Sequence, residues 1–214
     1  MARGSLITIE GLDGAGKSTL ARALLAALTA AGHPVELLRE PGGVDLSERI
    51  RALVKDPALN VSARTEALLY AAARAQLVEE RVLPLLEAGT TVLLDRYVDS
   101  SLAYQGAARG LGVDHVRQIN RFATGALEPD RTLLLRISPD ARRARLAARA
   151  EAPDRLEREA EEFFACIAAA YDELAVAEPR RIRVLDASFT PATVLADALS
   201  ALGDLLVPSP PARG

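Results

Sequence analysis

Gly11-Leu12-Asp13-Gly14-Ala15-Gly16-Lys17-Ser18 has the spacing G-x-x-x-x-G-K-[ST]. Residues of these types in this order cradle phosphate. The glycines let successive backbone N–H groups turn inward around phosphate oxygens, and a helix start adds positive potential. Lys17 has the reach for β- and γ-phosphates, and the Ser18 hydroxyl suits Mg²⁺. An apolar strand, Ser5–Ile9, precedes the loop and a helical run, Thr19–Ala31, follows it. That context separates a phosphate loop from a chance glycine turn. Lysine occurs only at Lys17 and Lys55 in a chain whose habitual cation is arginine, so a lysine here is not compositional drift. The expected ATP-contacting residues are Gly11, Leu12, Asp13, Gly14, Ala15, Gly16, Lys17, Ser18 and Thr19.

The remaining chemistry-bearing residues lie downstream. Asp95 ends the apolar run Val92-Leu93-Leu94 and is a candidate Mg²⁺ partner beside Ser18. Arg96 follows at once and would hold a second phosphate; a surface ion pair is the plainer alternative. Arg39-Glu40-Pro41-Gly42-Gly43 makes a tight turn that brings backbone close to a ligand, with Arg51 on the helical stretch after it. Tyr70 and Arg74 share a helical face, so ring and guanidinium could stack on a base and bond its edge. Ordinary packing of a half-buried tyrosine beside an arginine meets the same spacing. Ser101, Tyr104 and Gln105 are also spaced for one helical face. Arg142, Arg143, Arg145, Arg149, Arg155 and Arg158 crowd around Ala150–Asp154, a proposed lid. Arg142, Arg145 and Arg149 are spaced to line one face and stabilise a transferring phosphoryl group, and Arg158 reads as solvated. His33 and His115 are isolated and receive no role, and Cys166 is expected as a buried small hydrophobe.

Five short apolar runs must position these groups: Leu6–Ile9, Val35–Arg39, Thr91–Asp95, Thr132–Ile137 and Ile182–Leu185. They alternate with Ala/Leu/Arg/Glu-rich helical stretches, which predicts an α/β fold with a parallel sheet covered on both faces. Ligands of such sheets gather at the carboxyl ends of the strands, where Gly11–Ser18, Arg39–Gly43 and Asp95-Arg96 all fall. The chain has 214 residues, half of them hydrophobic, and a formal net charge of −3. Disorder is excluded, and no global footprint for nucleic acid or anionic membrane is present. One cysteine suits a reducing compartment. No apolar run approaches a membrane span and no leader is visible, so a cytoplasmic protein is expected. One domain is expected over residues 1–206, with a lid at about 142–157 and a Pro-rich, frayed tail at 207–214.

Glu10–Ser18, Arg39–Gly43, Tyr70–Arg74 and Asp95–Gly106 together resemble bacterial thymidylate kinases, in order, over roughly residues 4–200. The resemblance implies the five-stranded nucleoside monophosphate kinase fold. It implies transfer of the ATP γ-phosphoryl group to dTMP with Mg²⁺, for dTTP synthesis, in a homodimer. Lys17 and Arg96 would be catalytic, and Arg51 and Arg96 would bind the dTMP phosphate. Arg74 would bond the thymine edge, Tyr70 would stack on the ring, and Ser101 and Gln105 would contact the base. Tyr104 would crowd the site of a ribose 2′-OH, Pro41 would border the nucleoside beside Arg39, and Asp13 would lie near sugar and phosphate. The stacking position is more often Phe in the family. Some members carry an arginine inside the phosphate loop; here Gly14-Ala15 follows Asp13, which implies that the catalytic arginine comes from the lid cluster Arg145, Arg149 and Arg155, with Arg149 and Arg155 bracketing the lid and Arg145 the next candidate. Two other readings use the same loop: a kinase for another small acceptor, and a nucleotide-dependent regulator.

Overall fold

The computed structural model describes residues 3–148 and 154–206. Five strands form one sheet: β1 (Leu6–Gly11), β2 (Val35–Arg39), β3 (Thr91–Asp95), β4 (Arg131–Arg136) and β5 (Ile182–Asp186). The order is β2-β3-β1-β4-β5 and every pairing is parallel. All five stand where the apolar runs place them, with ends shifted by no more than two residues. β1 is central and wholly buried. Successive side chains leave opposite faces of a strand, so Ile7 and Ile9 join one core and Leu6 another. The one hydroxyl on β1, Thr8, meets Thr132 of β4 at 2.7 Å, which satisfies both inside the sheet.

Among the described residues the helices are α1 (Lys17–Ala30), α2 (Asp45–Lys55), α3 (Ala63–Leu77), α4 (Leu83–Glu87), α5 (Val98–Ser101), α6 (Val113–Ala123), α7 (Pro139–Ala147), α8 (Glu161–Ala177) and α9 (Pro191–Ala201). The larger core packs Ile7, Ile9, Leu133 and Leu135 with Leu24 of α1, Ile167 and Leu174 of α8 and Ala198 of α9. The second gathers Leu6, Val92 and Leu94 with Leu77, Leu86 and Tyr97. Burying both faces of a parallel sheet requires this two-sided cover. Cys166 is exposed, not buried: α8 turns Phe164, Ile167 and Tyr171 to the core, and the helical period leaves position 166 outside.

Two segments depart from α geometry. Val78–Val82 and Leu102–Ala108 form π-helical turns that continue α3 and α5. Such wider turns recur at functional sites, and the second carries Tyr104 and Gln105. The register sets the site in line. Ile9 and Arg39 both stand level with Asp95, so the ends of β1, β2 and β3 come out together.

Candidate active site

β1 ends at Gly11, where a Cβ would lie 2.5 Å from the Leu135 carbonyl oxygen. The loop closes on Gly16, which caps α1 in the left-handed region at φ 100°, a conformation that glycine adopts without steric cost. Lys17 lies across this loop, its Nζ donating to Gly11 O and Leu12 O at 3.0 Å each. Burial pulls its pKa down and Arg96 adds to that, while Asp13 opposes. Ser18 Oγ donates to Asp95 Oδ2 at 2.8 Å, so strand β3 and helix α1 bring a hydroxyl and a carboxylate to one point. Both are hard oxygen donors, the chemistry that Mg²⁺ takes from a protein when phosphates supply the other ligands.

Arg96 is the first residue beyond β3 and holds φ 71°, which costs about 1–2 kcal/mol for a side-chain-bearing residue. Its surroundings hold it there. The guanidinium donates to Asp13 Oδ1 at 2.6 Å and to Ser100 Oγ at 3.0 Å, and it lies 5.1 Å from the centre of the Tyr104 ring. Ser100 in turn donates to Glu10 Oε2 at 2.6 Å, and Tyr171 of α8 reaches the same oxygen at 2.9 Å. Glu10 is sealed in the core, and burial with help from Asp99 raises its pKa. Burial works against ionised Asp13 too, but Arg96 and Lys17 outweigh it and hold that carboxyl below the usual range.

Asp13, Lys17, Ser18, Asp95, Arg96 and Ser100 line a cleft of about 420 Å³. Of the sequence-derived set it brings together Asp13, Gly14, Gly16, Lys17, Ser18, Thr19, Arg39, Pro41, Arg51, Tyr70, Asp95, Arg96, Ser101, Tyr104 and Gln105. Arg51 donates to Pro41 O at 2.9 Å, so α2 and the turn after β2 support each other. Arg39 pairs with Glu48 at 2.7 Å at the exposed rim. Gly11 and Leu12 lie behind the loop, where their carbonyls hold Lys17.

Three arginines stand elsewhere than expected. Arg74 is 1% exposed and does not line the cleft. It donates to Glu40 Oε2 at 2.7 Å, Ser101 Oγ at 2.9 Å, Tyr97 O at 2.9 Å and Asn120 Oδ1. A guanidinium has five N–H groups; these partners take four, so Arg74 is braced in the wall behind Ser101. Arg155 is likewise not at the phosphate loop. Its Nη2 bonds Glu66 Oε2 at 2.5 Å and its Nε bonds Val54 O at 2.9 Å, on the α2–α3 side. Arg142 is structural: its guanidinium lies 3.6 Å from the centre of the Phe164 ring. Arg149 lies outside the described residues.

Arg145 reaches the phosphate loop from the other side. It donates to Ala15 O at 3.2 Å and to Ala187 O at 2.6 Å. There it borders a second pocket of about 270 Å³, lined also by Ala15, Gly16, Thr19, Leu20, Phe189, Pro191 and Val194. Gly16 and Thr19 belong to both pockets, so the phosphate loop is the sill between them. Glu40, Lys55, Ser100, Asp154, Leu156 and Glu157 also line the cleft. Glu40 and Ser100 lie inside the Arg39–Gly43 and Asp95–Gly106 stretches and Asp154 ends the proposed lid, but none was singled out as a site residue; Lys55, Leu156 and Glu157 carry no motif.

The family model described as thymidylate kinase matches residues 9–198. The chain belongs to the thymidylate kinase family. It is 50% identical over 188 residues to a thymidylate kinase of Deinococcus radiodurans, covering 88% of this chain and 91% of that one. A thymidylate kinase of Symbiobacterium thermophilum is 49% identical over 183 residues, 85% of each chain. One from Lactobacillus delbrueckii subsp. bulgaricus is 47% identical over 189 residues, 87% of this chain and 89% of the relative. The family match spans both pockets and the strand ends that join them. No helix among the described residues is long and apolar enough to cross a membrane.

Proposed function

We infer that the chain transfers the γ-phosphoryl group of ATP to dTMP, giving dTDP and ADP on the way to dTTP. One observation carries this reading: two pockets share a phosphate loop, with Lys17, Ser18 and Asp95 at the junction and Arg96 and Arg51 on one side of it. The smaller, largely apolar pocket beside Arg145 suits the donor base. The larger cleft suits the acceptor, with Arg51 and Arg96 on its phosphate, Tyr70 against the ring, Ser101 and Gln105 at the base edge and Tyr104 against the sugar. Donor and acceptor phosphates repel, so alignment and charge neutralisation are the main work. The acceptor phosphate is already ionised at neutral pH, so no strong base is required, which fits a cleft whose described lining is rich in arginine and lysine. Lys17 offsets charge at the β/γ-phosphates, and Asp13 aims Arg96 through their 2.6 Å bond. Mg²⁺, when bound, would neutralise phosphate charge, and Ser18 and Asp95 are the residues to hold it.

The test is ADP release with ATP and a panel of nucleoside monophosphates. Strong preference for dTMP supports the reading. Equal use of unrelated acceptors, or slow turnover with all of them, overturns it.

We also propose a homodimer formed through α2, α3 and α6. These helices pack side by side, and they carry Leu46, Leu53, Leu68 and Phe122 exposed.

A further inference from the structure

Glu66 lies on α3, is fully buried, and touches neither pocket. An isolated carboxylate in that position is costly, and this one is surrounded by donors from two directions. Gln105 Nε2 donates to its Oε1 at 2.9 Å. Arg155 Nη2 donates to its Oε2 at 2.5 Å, and Arg109 spans both oxygens at 3.3 and 3.4 Å. Arg109 is fixed in turn by Glu159 at 2.7 Å and by the Phe163 ring at 4.6 Å. Both arginines therefore have partners besides Glu66, and the carboxylate cannot turn away from them.

A carboxylate only accepts hydrogen bonds, whereas a primary amide donates on one side and accepts on the other. Gln105 must therefore turn its nitrogen to Glu66. Its Oε1 accepts no bond from the described residues, and Gln105 is part of the cleft wall. We propose that Glu66 is a positioning residue that sets base specificity: it locks the Gln105 amide so that the cleft wall offers an acceptor. Pyrimidines with an imide N–H, such as thymine and uracil, supply the matching donor. Cytosine has a bare ring nitrogen there and would meet oxygen with lone pair. The proposal rests on the reading above that the acceptor base lies against Gln105.

dUMP and dCMP test it, because they differ only at that edge. The readout is the ratio of kcat/KM for dUMP over dCMP. In Glu66→Gln the arginines claim the single amide oxygen, so the new nitrogen faces Gln105 and Gln105 turns its own nitrogen to the cleft. The ratio should fall by about tenfold or more, the cost of opposing like groups at a buried edge, with the KM for ATP unchanged. Glu66→Gln combined with Gln105→Glu should restore it, since a carboxylate at position 105 offers only oxygen. Arg155→Met removes one arm of the cluster but leaves Glu66 an acceptor toward Gln105, so dUMP and dCMP should lose kcat/KM in equal proportion and the ratio should hold; a ratio that falls with Glu66 intact overturns the proposal. A merely structural Glu66 predicts that both monophosphates lose rate together and that the double variant rescues nothing; that result overturns the proposal. Should Glu66→Gln not fold, isotope-labelled Gln105 in the wild-type protein decides. Its side-chain amide protons should exchange slowly with water, and fast exchange overturns the lock. Turnover of dTMP by the wild type checks the underlying function separately.

Discussion

Lys17 holds its ammonium between two loop carbonyls at 3.0 Å each, which fixes a compact point charge at the junction of the pockets. Lys17→Ala should lower kcat about a hundredfold or more, as expected for losing one preorganised charge, with the thermal transition retained. Lys17→Arg should fail as well, because a planar guanidinium does not fit a site shaped for an ammonium. Near-normal turnover of either variant removes Lys17 from the reaction. Glu40 gives a pH test. Burial pushes its carboxyl up to about 7, outweighing the pull of Arg74. Its ordinary value is 4.5, so the folded state holds the proton more tightly than the unfolded chain does. That stabilisation is complete below 4.5 and is lost as pH rises through 7. Between about pH 5 and 8 the wild type should lose roughly 3 kcal/mol relative to Glu40→Gln. Denaturant midpoints of the two proteins across that range measure it, and parallel curves would refute it. Lys17 was legible because its whole chemical context is contiguous in sequence. Glu40, Glu66 and Glu10 were not: a glutamate on a helix or at a strand end reads as solvated until the partner that buries it is brought in from a distant segment.

Elements fix where those side chains arrive. β1, β2 and β3 were readable from alternation and β-branching, and their level ends follow from parallel register. The π-turn at Leu102–Ala108 was not readable, because Tyr104 and Gln105 have the same spacing on an α-helix. Segment 154–159 shows the same limit. Arg155 looked like a hinge-borne cation for the γ-phosphoryl group, yet it folds back onto Glu66 and Val54 while Asp154 pairs with Lys55 at 2.7 Å. Sequence shows a cluster of arginines but not which carboxylates claim them. These assignments separate three variants. Arg155→Ala should raise the KM for dTMP about tenfold by leaving buried Glu66 short of a partner, with kcat little changed. Arg149→Ala should lower kcat by roughly 10³, since a transition-state cation is still required and the phosphate loop carries no arginine. Arg158→Ala, at an exposed position, should be mild. Steady-state kinetics with both substrates varied distinguishes them; a kcat effect at Arg155 with none at Arg149 reverses the assignment.

The whole molecule sets two pockets that share the phosphate loop at one end of a sheet and an apolar helical flank beside them. α2 and α3 belong to both features. α2 carries Arg51 toward the cleft and Leu46 and Leu53 outward, and α3 carries Tyr70 toward the cleft and Leu68 outward. Phe122 of α6, 93% exposed, stands on the neighbouring helix. Such side chains on three adjacent helices form a surface that association would bury. A symmetric dimer covers the same patch on both copies, and it would stiffen the helices that carry the acceptor site. Leu68→Asp or Phe122→Asp should therefore yield monomers in sedimentation experiments, because each dimer would bury two like charges. The monomers should also bind dTMP more weakly while keeping ATP affinity, since the pocket proposed for the donor is lined mainly from α1, α7 and the β5–α9 connection. Variants that stay dimeric, or monomers with unaltered dTMP affinity, would separate the flank from the site.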